Sequence, residues 1–261
     1  MARRWPALAI LCLIGILALA VLGDPHRVDH DRVLAPPSLD HWLGTDHLGR
    51  DLAARVAAGF ARAITVVTIA LAGGLALGIA AGAVIARGAG VAAQAMRTAA
   101  EATLAAPTIV VALVLAAILG GGPLSIALAL ALTGWAPYAL TIAGLSRQVM
   151  AEPYWRAALA LGADPVHGFR AHLLPNIARP LAALAGADAG RAILLAAALG
   201  FLGLAADTGK PDWGMMIAEY RLLMFTAPRL VLAPAVTIAL LSLALHLLLD
   251  AHQPTARPSR G

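Results

Sequence analysis

The sequence predicts an all-α membrane protein with six transmembrane helices, and three observations carry that prediction. Of the 261 residues, 61% are hydrophobic and 13% charged, with a mean hydropathy of +0.82, whereas an ordinary soluble domain carries about 25% charge. Disorder is excluded by the same figures, because it needs low hydrophobicity and high net charge. Long uncharged runs recur along the chain, and a spanning helix needs about 20 mostly apolar residues. The net charge of +5 then belongs with loops that face the cytoplasm and anionic headgroups, not with nucleic acid. The single cysteine, Cys12, lies in an apolar run, so no intrachain disulfide can form.

Each span follows from the measured runs. The first, Trp5 to Gly23, follows Arg3 and Arg4. A signal peptide begins in the same way, but its apolar core is only about 7 to 15 residues, so a retained anchor is expected. The second is the 24 uncharged residues from Ala63 to Ala86. From Ala102 to Ser146 no charge occurs for 45 residues, too many for one crossing, and Gly120-Gly121-Gly122-Pro123 breaks the run. It therefore reads as a hairpin of two spans, Ala99 to Leu119 and Pro123 to Leu145. The fifth span, Ile177 to Leu204, contains Asp188 and Arg191, three residues apart on one helix face. The sixth is Leu230 to Leu249. Six crossings put both termini on one side, and the arginines before the first span place them in the cytoplasm. The expected organisation is an anchor helix and external loop over 1–62, a membrane-spanning core over 63–250 with a cytoplasmic loop at 146–176, and a tail at 251–261.

Small residues predict how the spans pack. Gly74, Gly78 and Gly82 repeat at four-residue spacing, which clears one stripe of the second span for close approach of another helix. The same stripe could slide during gating. Pro107, Pro137 and Pro234 predict kinks. The only lysine, Lys210, is followed by Pro211, so a GxxxxGK[ST] phosphate loop is absent. No HExxH helix and no suitably flanked nucleophilic serine occurs, so no enzyme chemistry is expected. Energy for active transport would come from a partner.

The segment from Glu152 to Asn176 reads EPYWRAALALGADPVHGFRAHLLPN and predicts two short helices. Pro153 suits the first turn of one, and Gly162 ends it. Asp164 caps the other, Pro165 takes its first position, and Val166, Phe169 and Leu173 form an apolar stripe up to Pro175. Such a helix fits a partner's groove or the headgroup surface.

The segment resembles the coupling loop of the inner-membrane permeases of binding-protein-dependent ABC importers, which reads EAA, three residues, G, nine residues, I-x-L-P. Arg156-Ala157-Ala158, Gly162 and Leu174-Pro175 fall at that spacing. Arg156 stands where the family has glutamate. His172-Leu173-Leu174-Pro175-Asn176 is similar to the H-x-L-P-N ending of the peptide and nickel branch. Two more stretches resemble that branch: Leu43-Gly44-Thr45-Asp46-His47-Leu48-Gly49-Arg50-Asp51, and Phe201-Leu202-Gly203-Leu204 followed by Asp212-Trp213-Gly214-Met215-Met216-Ile217.

The resemblance implies a type I ABC importer permease of the inner membrane, which carries nickel, free or chelated, or short peptides. It implies a second permease subunit, two cytoplasmic ABC ATPase subunits and a periplasmic or lipid-anchored binding protein. No cofactor, metal or catalytic residue is expected on this chain. By resemblance, the loop helix docks in an ATPase groove, with Gly162 making the turn, Ala157 and Ala158 the close approach, and Val166 and Phe169 the apolar contact.

Other residues leave two readings open. Asp188 and Arg191 either line a solute path or neutralise each other. Met215 and Met216 pack or line the same path. Gly44, Thr45, Asp46, Gly49, Arg50 and Asp51 make an ordinary capped helix start or a docking surface for the binding protein. His26, His30, His41 and His47 crowd the first external loop but lack a specific metal-ligand pattern. An ion-coupled secondary transporter is the alternative class, and it calls for broken helices in paired repeats and intramembrane carboxylates.

Overall fold

The computed structural model describes residue 15 and residues 24–88, 90–153, 155, 174–205 and 210–250. The expected first span, Trp5 to Gly23, lies outside the described residues apart from Gly15. Among the described residues the fold is helical: α1 (Leu52–Ala86), α2 (Val91–Ala105), α3 (Thr108–Ile118), α4 (Pro123–Ala151), α5 (Leu174–Phe201), α6 (Trp213–Tyr220) and α7 (Arg229–Asp250). Four of these, α1, α4, α5 and α7, are long and apolar enough to cross a membrane, and α2 with α3 makes a fifth crossing if the bent pair counts as one.

The second span begins earlier than its uncharged run. Helix α1 has 35 residues, about 52 Å at 1.5 Å per residue, and overshoots a 30 Å hydrocarbon layer. Arg55 and Arg62 would stop an apolar run, yet the helix continues through them because both are buried against partners. Asp51 starts it by accepting the Ala54 amide at 2.9 Å, a side-chain cap on one of the free first-turn donors.

The third span differs from expectation. Instead of one helix over Ala99 to Leu119, α2 and α3 meet at 102°. Pro107 brings no amide and pushes the preceding residue out of the helical region, and Ala106 is extended at φ −81°, ψ 141°. The glycine turn after α3 matches its reading, with a reason the pattern did not supply. Gly120, Gly121 and Gly122 all have positive φ, between 72° and 88°, a region that residues with a Cβ rarely enter. The Gly122 amide donates to Leu204 O at 2.7 Å and ties the hairpin tip to the end of α5. There Gly203, at φ +90°, closes the helix, and the Leu204 amide returns to Leu199 O at 3.1 Å, the six-to-one bond of a helix ending in a left-handed residue.

The glycine stripe of α1 packs on α4. A methyl group at Gly78 would collide with Tyr138 Cβ, and one at Gly82 would lie 2.8 Å from Ile142 Cβ. At Gly74 the nearest atoms would stand at 3.6 Å, ordinary contact. The interface is sealed at one end by Arg147, which donates to Ile85 O at 2.9 Å, where a cation meets the negative end of α1. The opposite end, beside the 24–51 loop, holds a core of Leu52, Val56, Trp213, Met216, Tyr220, Leu230 and Leu241. Trp213 sits there because Gly59 leaves it room, an added Cβ meeting its ring at 2.5 Å, and its indole donates to Val56 O at 2.8 Å.

This geometry ranks three substitutions. Gly78→Ala and Gly82→Ala each cost about 1–3 kcal/mol by overpacking, whereas Gly74→Ala stays within about 0.5 kcal/mol. Thermal unfolding of the three variants in detergent checks the order.

Candidate functional site

The LGTDHLGRD segment folds into a knot of turns that starts α1. Gly44 and Gly49 adopt φ of +77° and +76°, and a side chain at either would strike backbone, Ala35 O at Gly44 and Asp29 O at Gly49. Thr45, fully buried, accepts the Ala35 amide at 2.8 Å and donates to Arg32 O. Asp51 caps α1 through one oxygen, and the other meets His41 Nδ1 at 2.6 Å.

Asp46 is the centre of the knot. Its carboxylate is inaccessible to solvent, and both oxygens are occupied. Oδ1 accepts the amides of Leu48 and Arg50 at 2.9 Å each. Oδ2 accepts Arg50 Nε at 2.7 Å and the Tyr220 hydroxyl at 3.0 Å. Arg50 continues to Glu219 Oε1, and Arg55 donates to Glu219 Oε2 at 2.9 Å. Two carboxylates and two guanidiniums thus alternate and lock residues 44–55 to α6. Burial works to raise the Asp46 carboxyl, but the two amides and the Arg50 guanidinium outweigh it and hold the group below the usual carboxylate range. Burial works to lower Arg50, and Glu219 and Asp46 together reverse that. Burial, with a smaller push from Asp46 and Glu219, raises the Tyr220 phenol against the pull of Arg55 and Arg50.

Asp46, His47 and Glu219 bring three metal-type ligand atoms within 4.8 Å of one another. A cation does not suit the cluster. Both acids are already neutralised by Arg50 and Arg55, and a divalent ion would sit against two fixed guanidiniums.

The second polar group lies inside the helices. Arg191 reaches Asp188 Oδ1 with Nη2 at 2.6 Å and Nε at 2.9 Å. The Tyr138 hydroxyl on α4 donates to Asp188 Oδ2 at 3.0 Å. The expected pairing of the two charges is present, and Tyr138 is a third member that spacing did not reveal. Met216 is fully buried beside Tyr220 in the core, and Met215 packs against the cluster that contains Leu199. Neither lines the small cleft beside Asp188 and Arg191.

A family model described as the binding-protein-dependent transport system inner membrane component matches residues 74–258. The chain belongs to this family. The nickel transport system permease protein NikC of Escherichia coli K12 is 31% identical over 264 residues, covering 96% of this chain and 93% of that protein. The metal-staphylopine import system permease protein CntC of Staphylococcus aureus NCTC 8325 is 31% identical, covering 97% and 89%. The probable D,D-dipeptide transport system permease protein DdpC of E. coli K12 is 37% identical over 202 residues, covering 76% and 66%. The permease therefore stands in the peptide and nickel branch of the ABC importers, as a multi-pass inner-membrane protein.

Of the permease's coupling motif, Arg156, Ala157, Ala158, Gly162, Asp164, Val166, Phe169 and His172 lie outside the described residues. Leu174 and Pro175 open α5, where proline suits a first turn that has no amide partner. Sequence reasoning missed Arg55, Glu219, Tyr220 and two further clamps. Arg62 donates to Ala205 O at 2.5 Å and Lys210 O at 3.2 Å and faces Asp212 at 3.6 Å. Arg229 holds Leu34 O and Ala35 O at 2.9 and 3.0 Å. One signal was available: Arg55 and Arg62 are seven residues apart, two turns along one helix face, in a stretch otherwise apolar.

Asp46→Asn leaves Arg50 and Arg55 short of a buried counter-charge and should cost about 3–5 kcal/mol. Because the folded-state carboxyl lies below its unfolded value, the unfolded chain binds the proton more readily. This contribution is complete above about pH 4 and is lost as pH falls through the depressed folded-state value. Unfolding measured from pH 7 down to pH 3 should show Asp46→Asn with the lower midpoint at neutral pH and the shallower acid loss.

Proposed function

We propose that this permease is one of two paired membrane subunits that pass nickel, free or chelated, or short peptides into the cytoplasm, driven by two cytoplasmic ATPases and fed by a periplasmic or lipid-anchored binding protein. Both termini face the cytoplasm, and the 24–51 loop with its Asp46 knot faces the binding protein. The chain holds no cofactor of its own. The observation that carries this reading is the coupling motif at Arg156–Pro175 in a chain with a single lysine and no phosphate loop. Such a chain has no phosphate loop for ATP of its own, which together with the coupling motif supports a nucleotide-hydrolysing neighbour as the source of work. Relatives named for nickel, metal-staphylopine and D,D-dipeptide import support nickel, free or chelated, and short peptides as the cargo.

On this reading, ATPase closure pushes on the loop helix and the push reaches α4 and α5, which flank it in sequence. The ion-coupled alternative asks for broken helices in paired repeats and a carboxylate free to bind an ion. The described residues hold one bent pair, and Asp188 is already taken by Arg191 and Tyr138.

In proteoliposomes containing the complete importer, uptake of labelled nickel or a labelled dipeptide should require ATP on the ATPase side. Transport by this chain alone without nucleotide would refute the proposal. Gly162→Asp should leave the protein in the membrane and abolish uptake together with its stimulation of ATP hydrolysis, and normal uptake by that variant would remove the coupling role from the loop.

A further inference from the structure

We propose that Arg191 is a mid-membrane binding residue for the carboxylate of the cargo, so that the permease favours carboxylate-bearing solutes, peptides with a free C-terminus or carboxylate-chelated metal, over a bare divalent cation. The inference rests on the proposed import function and assigns the chemistry of the cargo within it.

The first observation is depth. Arg191 lies ten residues before Phe201, the last residue of α5, about 15 Å along the helix and so near the middle of a hydrocarbon layer about 30 Å thick. A guanidinium at that depth is costly against lipid and belongs beside protein or a water-filled path. The second is asymmetry within the ion pair. Asp188 is nearly covered, its side chain 13% exposed, while that of Arg191 is 45% exposed. Asp188 spends Oδ2 on Tyr138 and Oδ1 on Arg191. The pair is neutral in sum, yet the side left open is the cation. Asp188 and Tyr138 are positioning residues that fix the guanidinium through Nε and Nη2.

The third is what surrounds it. Thr108, the first residue of α3 after the bend, lines the same cleft as Arg191 and Asp188, and no side chain caps that helix start. The positive end of α3 therefore opens on the same cleft and favours an anion there. Irregular backbone inside a membrane is tolerated where it lines a cavity. The cleft itself has room for about one water, at about 10 Å³. Cargo therefore meets Arg191 from its open side. A carboxylate there gains a charge-assisted hydrogen bond, and an aqua metal ion is repelled.

The test uses proteoliposomes of the complete importer with its binding protein, and four probes: dialanine, dialanine amide, aqua nickel ion and nickel in excess citrate. Because the binding protein can itself reject a probe, the deciding comparison is within one probe across variants. For dialanine or nickel–citrate, Arg191→Gln should lower ATP-driven uptake about tenfold or more, with basal ATPase activity and membrane level unchanged, and Arg191→Lys should restore part of it. The neutral pair Asp188→Asn with Arg191→Gln removes both charges, leaves no lone ion in the membrane, and should be equally impaired. Uptake unchanged in Arg191→Gln and in the double variant would overturn the inference, as would wild-type transport of aqua nickel or the amide as fast as of their carboxylate counterparts. If the wild-type importer moves none of the four probes with ATP, the proposed function itself fails and the inference falls with it.

Discussion

Among the described residues, arginines are buried in this bundle only where an acid or a carbonyl receives them, and that constraint organises the fold. Arg55 meets Glu219, Arg62 meets Asp212 and two carbonyls, Arg147 meets the end of α1, Arg191 meets Asp188, and Arg229 meets the carbonyls of Leu34 and Ala35. Each pairing joins or braces a particular site, because an ion that lost its partner in these surroundings would cost several kcal/mol. Replacing a buried pair by apolar residues is often neutral or stabilising, so the pairs do little for net stability. Their effect is to fix register: Asp46 finds the Tyr220 hydroxyl 174 positions away.

The apolar packing divides the molecule along the same lines. Helices α1 and α4 approach through glycines so closely that side chains on one touch backbone on the other at Gly78, and bodies packed in that way move as one. At one end the Asp46 knot clamps α1 to α6, and at the other Arg147 clamps α4 to α1. Helix α3 packs Ala112 and Ala116 into the cluster that holds Val66 and Ala70 of α1 and Ile126 and Leu130 of α4, and leaves Ile109, Val110, Val114 and Ile118 exposed on its other face.

What could be read from the chain alone was whatever depends on local chemistry. The apolar runs located α5 and α7 within about three residues and the start of α4, which continues six residues past Leu145 to Ala151, the glycine triplet located the hairpin tip, and the four-residue glycine spacing located the packing face of α1. The errors share one cause. The uncharged run starts the second span at Ala63, after Arg62, because a charge in an apolar run looks expensive, yet the helix continues back through Arg62 and Arg55 to Leu52, and the acid and carbonyls that receive them are well over a hundred residues away. Long-range pairing leaves no periodic trace. The bend at Ala106–Pro107 was legible as a proline but not as a right angle, because proline removes one hydrogen bond and the surrounding helices decide how far the chain turns. At the candidate site, Gly44, Gly49, Asp46 and Asp51 were recognisable as turn and cap residues, while Glu219 and Tyr220 carried no mark until the fold placed them against Arg50 and Asp46.

The contrast between the two acid–base groups is itself informative. At the 24–51 loop every carboxylate oxygen of Asp46 is filled, both charges of each sign alternate, and burial is complete for the central acid. Such a group has no valence left for a ligand and serves as a joint. Inside the helices the pair Asp188–Arg191 is filled on the acid and open on the base. Within this chain the guanidinium keeps a side free for a further hydrogen bond, whereas the carboxylate has both oxygens engaged. An uncovered cation held rigidly by its own counter-ion makes physical sense where something passing by is to be held briefly and released. A transport site must bind in that way, firmly enough to admit its cargo and weakly enough to let it go.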